Sequence, residues 1–194
     1  MKANDFTVAV SATIDTLNAR LIDAKATQAS VQASASKEEK EEKRLAVKAI
    51  ETKIAYVNRL TSEKCANKCA SFVKDASVLS AIVSNSYSLD KFALICSAIT
   101  IKSKSILSED SALMQAVSYL VATDFKTLTH DTLRKNLFSK SDASKCHATT
   151  TQANQFCSLL ERLQAAERVK LDDKAATAFK ADSALVRALN ALFD

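Results

Sequence analysis

The segment most informative about the fold of this chain is TTTQANQFCSLLERLQAAERVKL, residues 149–171. At helical spacing it has two unlike faces, because one set of positions recurs at steps of three and four residues. The apolar face consists of Ala153, Phe156, Leu160, Leu163 and Ala166. The opposite face carries amides, hydroxyls and one guanidinium: Thr151, Gln152, Asn154, Gln155, Ser158 and Arg162. The pattern predicts an amphipathic helix over 150–167, which Thr149 caps together with Gln152.

A strand is predicted directly after this helix. Arg168 to Leu171 alternates polar and apolar residues, as a short strand does. Asp172, Asp173 and Lys174 then read as a turn or a cap, and residues 175–180 form either a second strand or more helix. The sequence therefore leaves open a small two-stranded wing near the C-terminus.

The composition restricts the rest of the fold. The chain has 194 residues with no Gly, no Pro and no Trp. Gly supplies the positive φ angles of tight hairpin turns, so its absence argues against a strand-rich fold or a compact α/β enzyme. It also removes phosphate-binding loops, dinucleotide fingerprints and nucleophile elbows. An Ala-, Leu- and Lys-rich chain of this kind is predicted to be all-α or mainly α.

The N-terminal part is predicted to be a long helical hairpin. Residues 3–33 form one helix, with a seam at Val10, Ile14, Leu17, Leu21, Ala24, Gln28 and Val31. Ser36 and Glu39 make a capping box, and the helix that starts there continues through Val73 with a matching seam. We expect residues 1–75 to be an antiparallel hairpin or coiled-coil-like arm. One very long helix and an intermolecular coiled coil remain alternatives.

Residues 76–194 are predicted to be a globular helical domain. Residues 76–107 are densely apolar, with a break at Asn85-Ser86, and the β-branched run 99–101 is interpreted as helix. Ser108 is the predicted N-cap of a helix reaching 122, and Thr129 that of a helix from His130 to Phe138. Asp182 or Ser183 should cap a final amphipathic helix. The fold is thus a helical hairpin plus a helical bundle.

Charge and cysteine usage suggest the compartment. The net charge is +5, and residues 125–194 carry eleven basic against eight acidic residues, a mild excess compatible with a polyanion. The five cysteines are odd in number and irregularly spaced, unlike a disulfide framework. The uncharged apolar run over residues 76–89 has 14 residues and falls short of a membrane span. We expect a cytoplasmic protein with reduced thiols and no membrane partner.

Neither catalysis nor a bound metal or cofactor is predicted. Cys65 and Cys69 can share one helix face, but a structural zinc site normally needs four ligands. Cys146 and His147 are adjacent in the chain, so their side chains do not converge. His130 lies at a helix start, beside Asp131 and without a nucleophile turn. The expectation is a non-enzymatic protein.

The order of elements after residue 109 resembles a winged helix-turn-helix DNA-binding domain. The resemblance is carried by Thr151-Gln152-Ala153-Asn154, Leu160-Glu161-Arg162-Leu163 and Ala166-Glu167-Arg168-Val169, which are similar to a recognition helix and the entry into a wing. It implies a helix in the major groove of double-stranded DNA. The base-facing residues would be Thr151, Gln152, Asn154, Gln155 and Ser158. The phosphate contacts would be Arg162, Arg168, Lys170 and Lys145.

A structural, assembly or adaptor role is the alternative. A long hairpin in front of a helical body suits a subunit that packs against other proteins, and a virion component would have such a sequence. The N-terminal helices would then mediate homo-oligomers or bind a protein partner.

Overall fold

A computed structural model describes residues 1–31, 36–136 and 146–194, with the backbone alone for residues 130, 136 and 146–150. The helices are α1 Ala3–Val31, α2 Lys37–Asn58, α3 Glu63–Cys69, α4 Ala76–Ser84, α5 Ser86–Ile101, α6 Ser111–Ala122, α7 His130–Asn136, α8 Cys146–Arg162 and α9 Ala184–Phe193. The strands are β1 Leu128–Thr129, β2 Ala166–Leu171 and β3 Lys174–Phe179. Two short 3-10 helices lie at Ala70–Phe72 and Lys104–Glu109. The mainly α prediction is confirmed.

The helices α1 and α2 form the predicted antiparallel hairpin. Lys25 of α1 pairs with Glu51 of α2 at 2.9 Å, a contact that one continuous helix could not make. Ser36 caps α2 as expected, because its side chain accepts a hydrogen bond from the Glu39 backbone N–H. The predicted seam of α1 is buried or half-buried along its whole length. The seam is therefore used within the chain.

The second helix is shorter than predicted. It ends at Asn58, and Thr61 and Ser62 separate it from α3, whereas the sequence pattern predicted continuous helix to Val73. The Ser62 side chain accepts from the Cys65 backbone N–H and so offers a new helix start. The change of direction buries Leu60 and lets the next helix turn its own apolar face inward. Apolar spacing alone does not reveal such a turn.

The centre of the core is α5, of whose 16 residues ten are buried. Its predicted start is confirmed, since Asn85 accepts hydrogen bonds from the backbone N–H groups of Tyr87 and Ser88. The run 99–101 is helical, as interpreted. One hydrophobic cluster reaches from Phe6 to Leu189 through this helix.

The start of α6 differs from the prediction. Ser108 lies in the 3-10 helix Lys104–Glu109, and the cap is Asp110, which accepts from the Leu113 backbone N–H at 3.1 Å. Asp110 is also 2.9 Å from the buried ammonium of Lys91. A carboxylate can satisfy both partners at once, whereas a serine would leave the lysine charge uncompensated.

The C-terminal half contains a three-stranded antiparallel sheet in the order β1-β3-β2. The predicted two-stranded wing is confirmed as β2 and β3, which we call the wing hairpin. The partner of its inner strand is β1, which sequence reasoning missed because two residues show no alternation. The turn holds Asp172 and Asp173 at φ 49° and 60°, so a two-residue hairpin forms without glycine. Aspartate tolerates this left-handed region better than most residues.

The remaining helix starts are partly as predicted. Thr129 caps α7, since its hydroxyl accepts from the Thr132 N–H, and Ser183 caps α9 through the Val186 N–H. The last two residues of the predicted helix His130–Phe138 lie outside the described residues. The cap at Thr149 is wrong because α8 already begins at Cys146. No residue between 146 and 149 is a helix breaker, so the helix extends further toward the N-terminus than its apolar stripe indicates.

Candidate nucleic-acid interface

The helix α8 is held by the apolar stripe that the sequence predicted. All five stripe residues, from Ala153 to Ala166, are buried. They face a core that α5, α6 and α7 contribute to. The helix ends where Gln164 takes a left-handed φ of 56° and the Ala165 N–H donates to the Leu160 carbonyl. Burial of this stripe fixes which face of α8 points outward.

The outward face is narrower than predicted. Thr151 and Asn154 are exposed, whereas Gln152, Gln155 and Ser158 are half-buried. The Oε1 atoms of both glutamines are buried and have no hydrogen-bond partner among the described residues. In this conformation they cannot accept a hydrogen bond from a base edge. Of the five predicted base-facing residues, the exposed ones are therefore Thr151 and Asn154, which lie about one helical turn apart.

The predicted phosphate contacts are spread over α8 and the wing hairpin. Arg162 is exposed, and its guanidinium donates to the Ala81 carbonyl of α4 at 3.1 Å. Arg168 donates to both carboxylate oxygens of Glu161, at 3.1 and 3.0 Å. Lys170 is exposed and lies two residues beyond Arg168, on the same face of β2. Lys145 lies outside the described residues. The contacts that the sequence predicted thus include two arginines already engaged within the chain.

The wing hairpin is fixed to α8 rather than attached by its ends alone. Besides the Arg168–Glu161 pair, the Lys180 N–H donates to the Ala165 carbonyl at 2.9 Å. Burial raises the pKa of the Cys157 thiol of α8 to about 11, against a hydrogen bond with Thr177 of β3 that lowers it. The sheet also packs on its surroundings through the edge-on rings of Phe125 and Phe179, 5.8 Å apart. Helix and hairpin therefore form one surface.

The electrostatics of this surface are mixed. The wing hairpin and the residue that follows it contain Arg168, Lys170, Lys174 and Lys180, but Asp172 and Asp173 occupy its tip. Lys180 is paired with Glu167 at 3.5 Å. Apart from His147, the charged residues of α8 are Glu161 and Arg162 at its end. A polyanion would meet few uncompensated cations and a repulsive tip.

A group of three thiols lies elsewhere, and the sequence had indicated only two of its members. Cys65 and Cys69 of α3 meet Cys96 of α5, and their three Sγ atoms all lie within 4.8 Å of one another. Hydrogen bonds from Cys69 and Cys96 lower the pKa of Cys65, whereas the bond to Cys65 raises that of Cys69. Burial raises the pKa of Cys96 well above its ordinary value. The third member was missed because Cys96 sits in an apolar helix with no local motif.

Comparison with family models, curated proteins and solved structures finds no match to this chain. In the part of the chain that the structure describes, each helix is too short or too polar to cross a bilayer.

Proposed function

We propose that this protein is a non-enzymatic, double-stranded DNA-binding protein that uses α8 and the wing hairpin. The observation that supports this is the order α6, β1, α7, α8, β2, β3 together with the strand order β1-β3-β2. A winged helix-turn-helix domain has a recognition helix followed at once by a two-stranded wing, and here α8 is followed by such a hairpin.

In the proposed complex the exposed face of α8 enters the major groove. Asn154 is the main base-reading residue, because an amide can pair bidentately with adenine, and Thr151 supplements it one turn earlier. Arg168 and Lys170 on one face of β2 contact the phosphates. The predicted roles of Gln152 and Gln155 would require their side chains to turn outward on binding, since their carbonyl oxygens are buried.

The charge distribution predicts a weak salt dependence. Arg162, Arg168 and Lys170 offer about three phosphate contacts, which corresponds to a slope of roughly −2.7 in log K against log salt. Arg168 must also leave or share Glu161, 3.0 Å away, and this lowers the gain from its contact. Binding should therefore be strongest in low salt and should depend substantially on shape and base contacts.

The test measures binding of the full chain to labelled duplexes by fluorescence anisotropy at several salt concentrations. A random-sequence duplex pool enriched by binding supplies the preferred site. We expect Asn154→Ala to reduce preference for that site while retaining affinity for unrelated DNA. Arg168→Ala should weaken binding to all duplexes by a similar factor and make the salt slope shallower by about 1.

A gain of function tests the position of the wing. Replacing Asp172 and Asp173 by Asn removes the acidic tip, and we expect tighter binding to every duplex with a steeper salt dependence. The matched control replaces Asp15 and Asp23, two exposed acids of α1, and changes the total charge equally. Equal effects of the two pairs would contradict a role for the wing. Absence of binding at low salt would refute the proposal itself.

A structural or assembly role is the second candidate, and one observation favours it. Val8 and Ile22 of α1 are 68% and 69% exposed, and they lie 14 residues apart on one face. Exposed Ala12, Ala19 and Ala26 lie on the same face, which the exposed Asp15 interrupts midway between Val8 and Ile22. A face of this kind, turned away from α2, suits contact with another helix, either of a second copy or of a protein partner.

The size of the particle distinguishes the two candidates. For the assembly role, light scattering coupled to size exclusion should show an oligomer, and Val8→Ser with Ile22→Ser should return it to monomer without loss of helix. The control Val8→Ala with Ile22→Leu keeps the face apolar and should retain the oligomer. A monomer at all concentrations that pulls down no protein after nuclease treatment would exclude this role.

A further inference from the structure

Three cysteines from two helices converge in the core, and this convergence is independent of the nucleic-acid proposal. Cys65 and Cys69 are four residues apart on α3 and so project from one face of that helix. Cys96 comes from the middle of α5, 27 residues later than Cys69 in the chain. All three side chains are completely buried, and their Sγ atoms lie within 4.8 Å of one another.

We propose that Cys65, Cys69 and Cys96 bind one soft monovalent cation of the Cu(I) class through their three sulfur atoms. Thiolates are the ligands that soft cations prefer, and Cu(I) ranks high among them. Separations below 4.8 Å require little movement for the three sulfurs to surround one ion.

The number of ligands decides between Cu(I) and zinc. Structural zinc is almost always four-coordinate, with sulfur, imidazole or carboxylate ligands. Among the described residues, the group of candidate ligands here contains three cysteines and no histidine or carboxylate. The oxygens within 4.0 Å of the Cys69 sulfur that could supplement the set are both uncharged: the Cys96 carbonyl at 3.8 Å and the Thr100 hydroxyl at 4.0 Å. A three-sulfur site in an apolar core suits a cation that does not need a fourth ligand.

The surroundings of the thiols fit an exchange of protons for metal. Cys69 points its thiol toward the Cys96 carbonyl at 3.8 Å, so the cluster is held together by weak sulfur hydrogen bonds. Each thiol that coordinates loses its proton, so the cation replaces protons and binding tightens as pH rises. The ligands Cys65 and Cys69 lie on a helix of only seven residues between a turn and a 3-10 helix. Local opening of this short segment supplies the path for entry.

The test uses the full chain with Cys146 and Cys157 replaced by serine, which leaves the three cluster cysteines alone. The reduced protein is titrated anaerobically with Cu(I) in acetonitrile and then challenged with bathocuproine disulfonate. We expect one equivalent bound, a thiolate-to-Cu(I) absorption band in the near ultraviolet and three sulfur neighbours by X-ray absorption. Cys96→Ala in this background should weaken binding by more than about 100-fold, beyond a typical outer-shell effect.

The controls separate ligation from folding. Thr100→Val retains all three sulfurs and should bind Cu(I) as the parent does. Circular dichroism must show that Cys96→Ala is folded, and Cys65→Ala and Cys69→Ala provide two further variants from a different helix. Binding of the wild type that disappears in the parent with Cys146 and Cys157 replaced, while circular dichroism shows that parent to be folded, would overturn the proposal. No stoichiometric binding by the folded parent, or unchanged binding after loss of any cluster cysteine, would show that the cysteines serve only as buried apolar groups.

Discussion

The distal part of the helical hairpin and the helix α5 illustrate two ways in which the same kind of sequence becomes helical. In residues 18–31 and 36–46, which we call the distal hairpin, no side chain is fully buried. In α5 ten of 16 residues are buried. The distal hairpin therefore depends on helix propensity, capping and half-buried seam contacts, whereas α5 depends on removing apolar surface from water. A substitution should cost far more in the second region.

The largest effect is expected from Phe92→Ala in α5. Phe92 is completely buried in the main cluster, so truncation leaves a cavity and should lower the free energy of unfolding by about 3–5 kcal/mol. The matched change Leu21→Ala in the half-buried seam should cost about 1 kcal/mol. Urea denaturation followed by circular dichroism measures both. Similar losses would mean that the distal hairpin is packed as tightly as the body.

A somewhat smaller effect is expected where the body contains a charge. Asp110→Ala removes the partner of the Lys91 ammonium and the cap of α6 together, which should cost about 3 kcal/mol. Asp110→Asn keeps a capping oxygen but loses the charge, so its free energy of unfolding should lie between those of the wild type and Asp110→Ala. Urea unfolding tests this order, and a harmless alanine would indicate that water reaches Lys91.

Loss of a helix cap should have a local effect in the distal hairpin and a global effect in α5. Ser36→Ala removes the bond to the Glu39 N–H and should cost α2 about 1 kcal/mol, seen as faster hydrogen exchange in its first turn. Asn85→Ala removes two such bonds at the start of α5. Because α5 lies in the core, this loss should lower the global melting temperature. If Ser36→Ala lowers the melting temperature as much as Asn85→Ala does, the proposed difference between the distal hairpin and α5 is wrong.

The wing hairpin is one place in the body where local backbone preference matters. Asp173 has φ 60°, a conformation that glycine adopts without steric cost. Asp173→Gly should stabilise the hairpin by about 0.5 kcal/mol, since relief of strain is partly offset by the freedom of glycine in the unfolded chain. Thermal unfolding measures the change, and Asp182→Gly, outside the turn, should not reproduce it.

A comparably small effect is expected from an exposed ion pair just after the end of α2. Arg59 donates two hydrogen bonds to Glu109 and holds the pKa of that carboxyl below its ordinary value. A lowered pKa stabilises the fold above the unfolded value of about 4.3 and loses this contribution as pH falls through the folded one. Because the pair is exposed, Glu109→Gln should cost less than about 1 kcal/mol at pH 7, and this cost should shrink as pH falls below about 4. Stability curves of both proteins over this range show whether the difference disappears.

Much of the fold could be predicted because local signals coincide with tertiary ones. The hairpin, the Asn85 break, the caps Ser36, Thr129 and Ser183 and the strand after α8 each have a periodicity or a capping residue that points to the same structure. The turn at Thr61-Ser62 and the cap Asp110 were missed because their reasons lie in other segments. The turn at Thr61-Ser62 follows from the burial of Leu60. The cap at Asp110 follows from Lys91, whose buried ammonium requires a negatively charged partner.

The candidate interface shows the same limit. All five predicted stripe residues of α8 are buried, since a helix that packs on a core must bury one face, but the buried side also includes Cys157 and Leu159. The polar face was predicted too broadly, because the carbonyl oxygens of Gln152 and Gln155 are buried and no periodicity reports this. The complete cysteine cluster could not be predicted because Cys65 and Cys69 are neighbours on one helix, whereas Cys96 is distant in the sequence.

Local sequence patterns were enough to predict that the chain is mainly helical, where most helices begin, and which face of α1 and α8 is apolar. Those properties depend on residues within one or two helical turns of each other, so a short segment of sequence is enough to predict them. Three features became visible in the folded chain alone: β1 completes the sheet, Asp110 rather than Ser108 starts α6, and Cys96 joins Cys65 and Cys69. Each of these depends on groups far apart in the chain, and packing rather than local preference brings them within contact distance.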